Sequence, residues 1–380
     1  VRGYIRRRGK RSWEITVDLG RDESGRRLRH YLTVRGTRRD AERELARVLH
    51  DAHSGALAPP SRMTVAETVE RWLEDVAKPR VSVRTWEWYA ELTRRHILPA
   101  LGNTRLQALR PLQLQRLYVD LGEKGLSQRT ILHVHRLLHN ILQWAVRAGL
   151  VGVNVCDRVE APRPAPLEVR VLTPEEAAHL LRTASGTDLY LPVILALACG
   201  LRRGEVLALK WEDVDLERGV LLVRRSLEQT RSGLRFKEPK GGRARAVALP
   251  KLAADALRKY RAEQATVRLR RGQYWHDLGL VVCGPDGGPV APFSLSQRFA
   301  RLARRAGLSP LRFHDLRHTH ASQLLRAGVD LKTVSARLGH RTAVMTLDVY
   351  GHVLPGAQEE AAGVVDEILG AGEYEAKRIH

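Results

Sequence analysis

The sequence predicts a multidomain α+β protein. It should comprise a small N-terminal β-sheet-plus-helix module, an all-helical domain, and a mixed, mainly helical domain with a small antiparallel sheet. Three observations carry this. At 380 residues the chain exceeds what one core supports, since a domain takes roughly 100 to 200 residues. Two stretches read as linkers: 55–62 with Pro59-Pro60, and 157–170, whose alternating Pro162, Pro164 and Pro166 cannot sustain a helix or a central strand. Between them the apolar period changes, from two near the N-terminus to helical spacing and then to a mixture.

In the first module, 1–55, Ser12-Trp13-Glu14-Ile15-Thr16-Val17-Asp18-Leu19 alternates as a half-buried strand does. Arg29-His30-Tyr31-Leu32-Thr33-Val34 supplies a second strand across a Gly/Asp/Ser turn. Thr37 then caps a helix that reaches about His53 and carries Ala41, Leu45 and Val48. Residues 1–50 hold 15 Lys/Arg against 7 Asp/Glu, so the sheet's free face should be rich in arginine. Arg11, Arg27 and Arg29 are the candidate DNA contacts; the alternative is that these arginines only solvate an exposed sheet.

The second module, 63–156, opens on the capping box Thr64-Val65-Ala66-Glu67, followed by Val65, Val69, Trp72, Leu73 and Val76 at helical spacing. Further helices are expected from Ser82 to Ile97, Pro111 to Gly122 and Ser127 to Gly149. In the last, Ile131, Val134, Leu138, Ile141, Leu142 and Ala145 form one apolar stripe that Gly149 ends. The third module, 171–355, starts with another capping box, Thr173-Pro174-Glu175-Glu176, and a second, apolar helix runs from Leu189 to Cys199 and stops at Gly200. Gly219 to Leu227 and Arg243 to Leu249 read as strands separated by a polar, Gly-rich stretch from 230 to 242. After Pro250 the pattern is helical apart from Gly279 to Val290. A tail, 356–380, places Val364, Val365, Ile368 and Leu369 beside Glu359, Glu360, Asp366 and Glu367 as an amphipathic helix would.

Net charge is +22 and the isoelectric point about 10.7, with arginine far ahead of lysine. That balance favours bidentate contact with phosphate and makes nucleic acid the leading partner. A basic membrane-surface protein would need an apolar span or a basic amphipathic anchor, and neither pattern occurs, so no membrane partner is expected. Three separated cysteines, Cys156, Cys199 and Cys283, suggest neither a disulfide framework nor a paired zinc site. With no secretory signal pattern at the start, a reducing cytoplasm is the expected compartment. His314, His318 and His320 lack acidic or cysteine partners at metal-site spacing, so no metal is expected.

Breaking a phosphodiester without a metal takes an in-line nucleophile, cations on the non-bridging oxygens and an acid for the leaving oxygen. Arg202 lies just beyond the helix-ending Gly200, where a side chain can project from a tight corner. His314 and Arg317 are three apart and share a helix face. His340 follows Gly339 at another helix end, and Tyr350 precedes Gly351. Ala321 to Gly339 could pass for a helix-turn-helix, but Leu324, Leu325, Val329, Leu331, Val334 and Leu338 suit a core better.

In this arrangement the chain resembles the tyrosine recombinases, the phage-integrase family. Gly200-Leu201-Arg202-Arg203-Gly204-Glu205 is similar to the segment around that family's first catalytic arginine, which places the role on Arg202. His314-Asp315-Leu316-Arg317 resembles its His-x-x-Arg motif, Leu338-Gly339-His340 its third motif, and Tyr350 stands at the nucleophile's spacing. The resemblance implies a catalytic lysine on a hairpin, with Lys240 favoured by the family's Pro-Lys pairing and Lys237 the alternative. It implies that Tyr350 forms a 3′-phosphotyrosyl link while Lys240 protonates the leaving 5′ oxygen. Arg202 and Arg317 would hold the phosphate, His314 would handle the tyrosine proton or fix the phosphate, His340 would donate a hydrogen bond, and Glu205 would orient the cations. No cofactor is implied.

The partners implied are double-stranded DNA attachment sites, a homotetramer passing through a Holliday junction, and accessory bending and directionality proteins. The setting is the nucleoid of a bacterial host. The tail would dock on a neighbouring protomer or pack on its own domain. Two other functions share parts of the pattern: a type IB topoisomerase, which relaxes DNA without exchanging partners, and a non-catalytic DNA-binding regulator.

Overall fold

The computed structural model describes residues 2–21, 25, 27–53, 58–165, 170–239, 244–339, 342 and 362–369, and divides into two compact units, Val1–Leu167 and Glu168–His380. The first unit begins with three antiparallel strands in the order β1 (Arg2–Gly9), β2 (Ser12–Arg21), β3 (Arg27–Arg35), followed by α1 (Arg38–His53). Ile15, Val17 and Val48 form its small core, with Ile5, Leu32, Val34 and Leu45 packed around them. Because successive strand residues point to opposite faces, the registers Arg2–Asp18–Arg29, Tyr4–Thr16–Tyr31 and Arg6–Glu14–Thr33 share the face away from that core. Thr37 caps α1 as expected: its amide and hydroxyl donate to Asp40 Oδ2 (2.9 and 2.7 Å), and the Asp40 amide donates back to its Oγ1 (3.3 Å).

Strand β1 departs from the sequence reading, which began the sheet at Ser12. Its run Arg6-Arg7-Arg8 hides the alternation, and the strand exists because β2 offers a paired edge. Gly3 leaves room there for Leu45, whose Cδ1 would lie 2.5 Å from an added Cβ and would have to shift.

A second core in the same unit gathers helices α2 (Val65–Arg71), α3 (Val83–Leu92), α4 (Leu98–Leu101), α5 (Pro111–Glu123) and α6 (Gln128–Arg147). The Thr64/Glu67 capping box forms in both directions, and Ser127 caps α6. The apolar stripe of α6 is buried as its periodicity predicts. Helices α2 and α3 each run on into a wide π-helical turn, Trp72–Ala77 and Thr93–Ile97, which the 3.6 period does not announce.

The second unit is built around α8 (Tyr190–Cys199), an almost wholly apolar helix that packs against α7 (Pro174–Ala184), α10 (Lys251–Arg271) and α12 (Phe313–Arg326). α9 (Arg203–Ala208), α11 (Pro292–Arg305) and α13 (Leu331–Leu338) complete its labelled helices. Ala321, Leu325, Val334 and Leu338 form a core between α12 and α13, so the apolar positions of this segment do pack inward. The expected strand from Gly219 to Leu227 is instead two. β5 (Val220–Val223) pairs with β4 (Val214–Asp215) and β8 (Arg245–Ala248), whereas β6 (Ser226–Thr230) pairs with β7 (Gly233–Lys237). The break falls at Arg224-Arg225, whose guanidiniums reach Asp213 at 3.5 and 2.6 Å. Strand β7 lies within the stretch the sequence suggested was a polar connection. A short helix at 362–369 leaves Val364, Val365, Ile368 and Leu369 exposed.

Candidate active site

The corner after α8 is made by Gly200, which takes φ +65° and would place a Cβ 2.6 Å from His320 Cδ2. Only glycine meets both conditions, the left-handed turn and the close approach. The chain then extends through Arg202, which caps α9, and Glu205 in the first turn answers it: the Arg202 amide donates to Glu205 Oε2 at 2.8 Å. Gly204 lets this turn lie against β6, where a Cβ would fall 2.5 Å from Ser226 Oγ.

Glu205 is the node of the site. Its side chain is 1% exposed, and Oε1 accepts from Arg202 Nη1 (2.8 Å) and Arg245 Nη1 (3.0 Å) while Oε2 accepts from Arg245 Nη2 (2.7 Å). Arg317 Nη1 stands 4.0 Å from Oε2. Burial alone would raise this carboxyl, but the Arg245 hydrogen bonds and the charges of Arg245 and Arg202 override it and hold it at about 2. Three guanidiniums against one carboxylate leave an excess of positive charge, fixed in place before any anion arrives.

Arg317 lies one turn after His314 on α12 and is 2% exposed. It donates to the Gly200 carbonyl at 2.5 Å and to the Leu338 carbonyl. The His314 ring presents a face to solvent yet stacks edge-on against His318, with centroids 4.9 Å apart. Desolvation, then His318, Arg317 and Arg202, push its imidazole downward, so it is neutral near pH 7. Deeper in, His320 donates from Nδ1 to the Leu197 carbonyl (2.8 Å) and accepts at Nε2 from Arg337 Nε (3.1 Å). Arg337 must be the donor, which fixes the neutral tautomer of His320.

The C-terminal end of α13 is gripped by arginines. Arg245 Nε donates to the Arg337 carbonyl (2.9 Å), Arg317 Nη2 to the Leu338 carbonyl and Arg202 Nη2 to the Gly339 carbonyl (3.2 Å). These are the carbonyls a helix end leaves without intrahelical partners, at the negative pole of its dipole. Gly339 itself turns left-handed at φ +64°.

The structure therefore brings Arg202, Glu205 and Arg317 together with His314 beside them. Lys240, His340 and Tyr350 lie outside the described residues. Lys237, the alternative lysine, is on β7 and ion-paired with Glu228 across the hairpin. Arg11, Arg27 and Arg29 are exposed in the first unit. The sequence reading passed over Arg245. Its signal was present: Arg245 and Val247 alternate on one face of β8, and Val247 is buried.

Residues 170–356 match the model of the phage integrase family, and residues 64–121 match the N-terminal SAM-like domain of phage integrases. The chain belongs to the tyrosine recombinase, or phage integrase, family. It is 28% identical over 381 residues to a XerC-like tyrosine recombinase of Caldanaerobacter subterraneus subsp. tengcongensis, covering 95% of this chain and 97% of the relative. It is 29% identical over 379 residues to an integrase of Streptomyces ambofaciens, covering 96% and 95%. Among solved structures, the Tn1549 transposon integrase in complex with a circular intermediate DNA shares the fold at a TM-score of 0.69 and 20% identity, covering 80% of this chain and 99% of that one. The lambda integrase tetramer bound to a Holliday junction does so at 0.60 and 20%, covering 91% and 94%. As a member of this family the protein is an enzyme of site-specific DNA recombination. Among its described residues no helix is long and apolar enough to cross a membrane.

Proposed function

We propose that this recombinase cuts and rejoins duplex DNA at attachment sites, with Tyr350 as nucleophile, and so integrates or excises a phage or mobile element. The observation that carries the reading is the shared anchoring of Arg202 and Arg317, from separate helices, around Glu205. Tyr350 Oη attacks the scissile phosphorus, the bond from phosphorus to the 5′ oxygen breaks, and a 3′-phosphotyrosyl diester remains. His314, neutral near pH 7, receives the tyrosine proton, and Lys240 supplies a proton to the departing 5′ oxygen. Arg202 and Arg317 hold the non-bridging oxygens as charge builds on them, where planar guanidinium forks match two oxygens at once. His340 adds a hydrogen bond to the same phosphate. A 5′ hydroxyl from the partner strand then reverses the chemistry, and the diester energy stored on the tyrosine drives religation.

Four protomers on two sites would carry out two such exchanges through a Holliday junction, with bending and directionality proteins setting the outcome. The exposed apolar residues at 364–369 suit docking of the tail on a neighbouring protomer. Lys240 is the preferred acid because Lys237 is already engaged by Glu228.

Incubation with a nicked duplex spanning the genomic junction tests the reading. A covalent protein–DNA adduct is expected with the wild type and none with Tyr350→Phe, while DNA binding persists in both. Absence of an adduct with the wild type would overturn the assignment, and supercoil relaxation without joining would point to a topoisomerase.

A further inference from the structure

We propose that Arg245 is a positioning residue for strand cleavage: by chelating Glu205 it aims Arg202, and with Arg202 and Arg317 it fixes the last three carbonyls of the α13 end. The inference rests on the proposed cleavage chemistry and deepens it.

Arg245 sits on β8, outside every motif that identified the site, and its side chain is 9% exposed. Both of its terminal nitrogens are spent on Glu205 and its Nε on the Arg337 carbonyl, so its role is to act through other groups. Glu205 has about four acceptor positions, and four donors reach it: two from Arg245, one from the Arg202 side chain and one from the Arg202 amide. Removing Arg245 would leave a buried carboxylate half satisfied. It would then compete with the scissile phosphate for Arg202, and for Arg317, which is 4.0 Å away. The α13 end would lose one of its three arginine clamps at the same time, immediately before the third motif. Packing reinforces the coupling, since a Cβ on Gly339 would lie 2.8 Å from Arg245 Cδ. Lysine is no substitute: one ammonium on a flexible stem cannot span both carboxylate oxygens and the Arg337 carbonyl with a planar fork.

The cations facing Glu205 are Arg202 from its own turn, Arg245 from β8 and Arg317 from α12. Burial raises the carboxyl and Arg245 leads the contributions that lower it. Without Arg245 the carboxyl must titrate at a higher pH. Activity that depends on ionised Glu205 would therefore fail at a higher pH as the solution is acidified.

The test uses the full-length protein on the nicked junction duplex. DNA affinity and the single-turnover rate of adduct formation at saturating DNA are measured from pH 5 to 8 for wild type, Arg245→Met, Arg245→Lys, Glu205→Gln and Arg245→Met/Glu205→Gln. The expectation is unchanged affinity with adduct formation slowed about 100-fold in Arg245→Met, the scale of an ångström-sized misplacement. The acid limb should shift upward, lysine should fail to rescue, and the double variant should be no worse than the poorer single one. Wild-type rates in Arg245→Met, full rescue by lysine or additive losses would overturn the proposal while leaving the cleavage reading standing. If Arg245→Met does not fold, Arg245→Lys, which keeps the charge, decides by the same rate and pH limb. A wild type that forms no adduct sinks the cleavage reading itself.

Discussion

The arginines of the N-terminal sheet and those around Glu205 are the same side chain in two opposite settings. Arg2, Arg6 and Arg29 stand exposed on the outward face of a three-stranded sheet, the face that also carries Tyr4 and Tyr31, which are themselves half exposed. Arg317 is buried and the Arg245 side chain is only 9% exposed, and with Arg202 they are tied to one carboxylate and to three successive carbonyls. A solvated guanidinium attracts phosphate from a distance, tolerates movement and is screened within about 8 to 10 Å by ordinary salt. A buried one costs desolvation and is held there by its partners, but its direction is fixed before the substrate binds. The first setting suits grip on a polyanion, and the second suits chemistry at one phosphorus.

The largest break of this contrast, short of deleting the nucleophile, is removal of the central carboxylate. Glu205→Ala would strand neighbouring cations at the buried node, and losing one partner of such an arrangement costs about 3 to 5 kcal/mol. A urea-denaturation midpoint should fall accordingly, whereas Arg6→Ala on the sheet should leave it nearly unchanged. Equal losses would mean that burial does not distinguish the two sets.

Next in size is Gly200→Ala. The residue is left-handed and its Cβ would meet His320 at 2.6 Å, so strain and overpacking together should cost about 2 to 3 kcal/mol. The same change at Gly20, also left-handed but with open space around it, isolates the backbone part. A loss at Gly200 no greater than at Gly20 would show that His320 yields to the intruding methyl.

What was legible in the sequence follows the distinction between local and distant causes. The capping boxes at Thr64/Glu67 and Thr173/Glu176, the left-handed glycines ending α8 and α13, and the stripe along α6 are set within a few residues and could be read directly. Strand β1 could not, because its arginines mask the alternation and its partner strand supplies the order. The break between β5 and β6 depends on Asp213, eleven and twelve residues before the arginines that bind it. Arg245 combines both cases. Its inward direction follows from the alternation with Val247, but nothing local says that Glu205, forty residues earlier, waits there. Arg202, Glu205 and Arg317 were found because their motifs carry them, and the fourth member has none.

A smaller effect separates the interior histidines by pH. His320 is held neutral down to about 4 by burial first, then by the charge of Arg337, against an ordinary value of 6.5. Between those values the unfolded chain binds a proton that the folded one refuses, so stability rises with pH across 4 to 6.5 and is flat above. The slope from this one residue is at most about 1.4 kcal/mol per pH unit. His320→Gln, which can still donate to Leu197 and accept from Arg337, should flatten part of the decline in the urea midpoint between pH 6.5 and 4. An unchanged slope would place the acid sensitivity elsewhere.

The smallest effect is expected at the sheet, where it is also the most diagnostic. Each cation withdrawn from a phosphate of duplex DNA lowers the slope of log affinity against log salt by about 0.9. Arg27→Ala and Arg29→Ala should each flatten that slope by up to this amount and weaken binding, most visibly at low salt. Their positions leave stability alone, since β3 directs both side chains to solvent. Once DNA is saturating, their rate of adduct formation should equal that of the wild type, because neither side chain belongs to the Glu205 node. Arg245→Met is the mirror image, with binding intact and chemistry slowed. If the sheet variants slow adduct formation at saturating DNA while the salt slope stays unchanged, exposed and buried arginines are not divided between grip and chemistry in this recombinase. If both variants move the slope and neither moves the saturated rate, the same residue type has been given two separable tasks by burial alone.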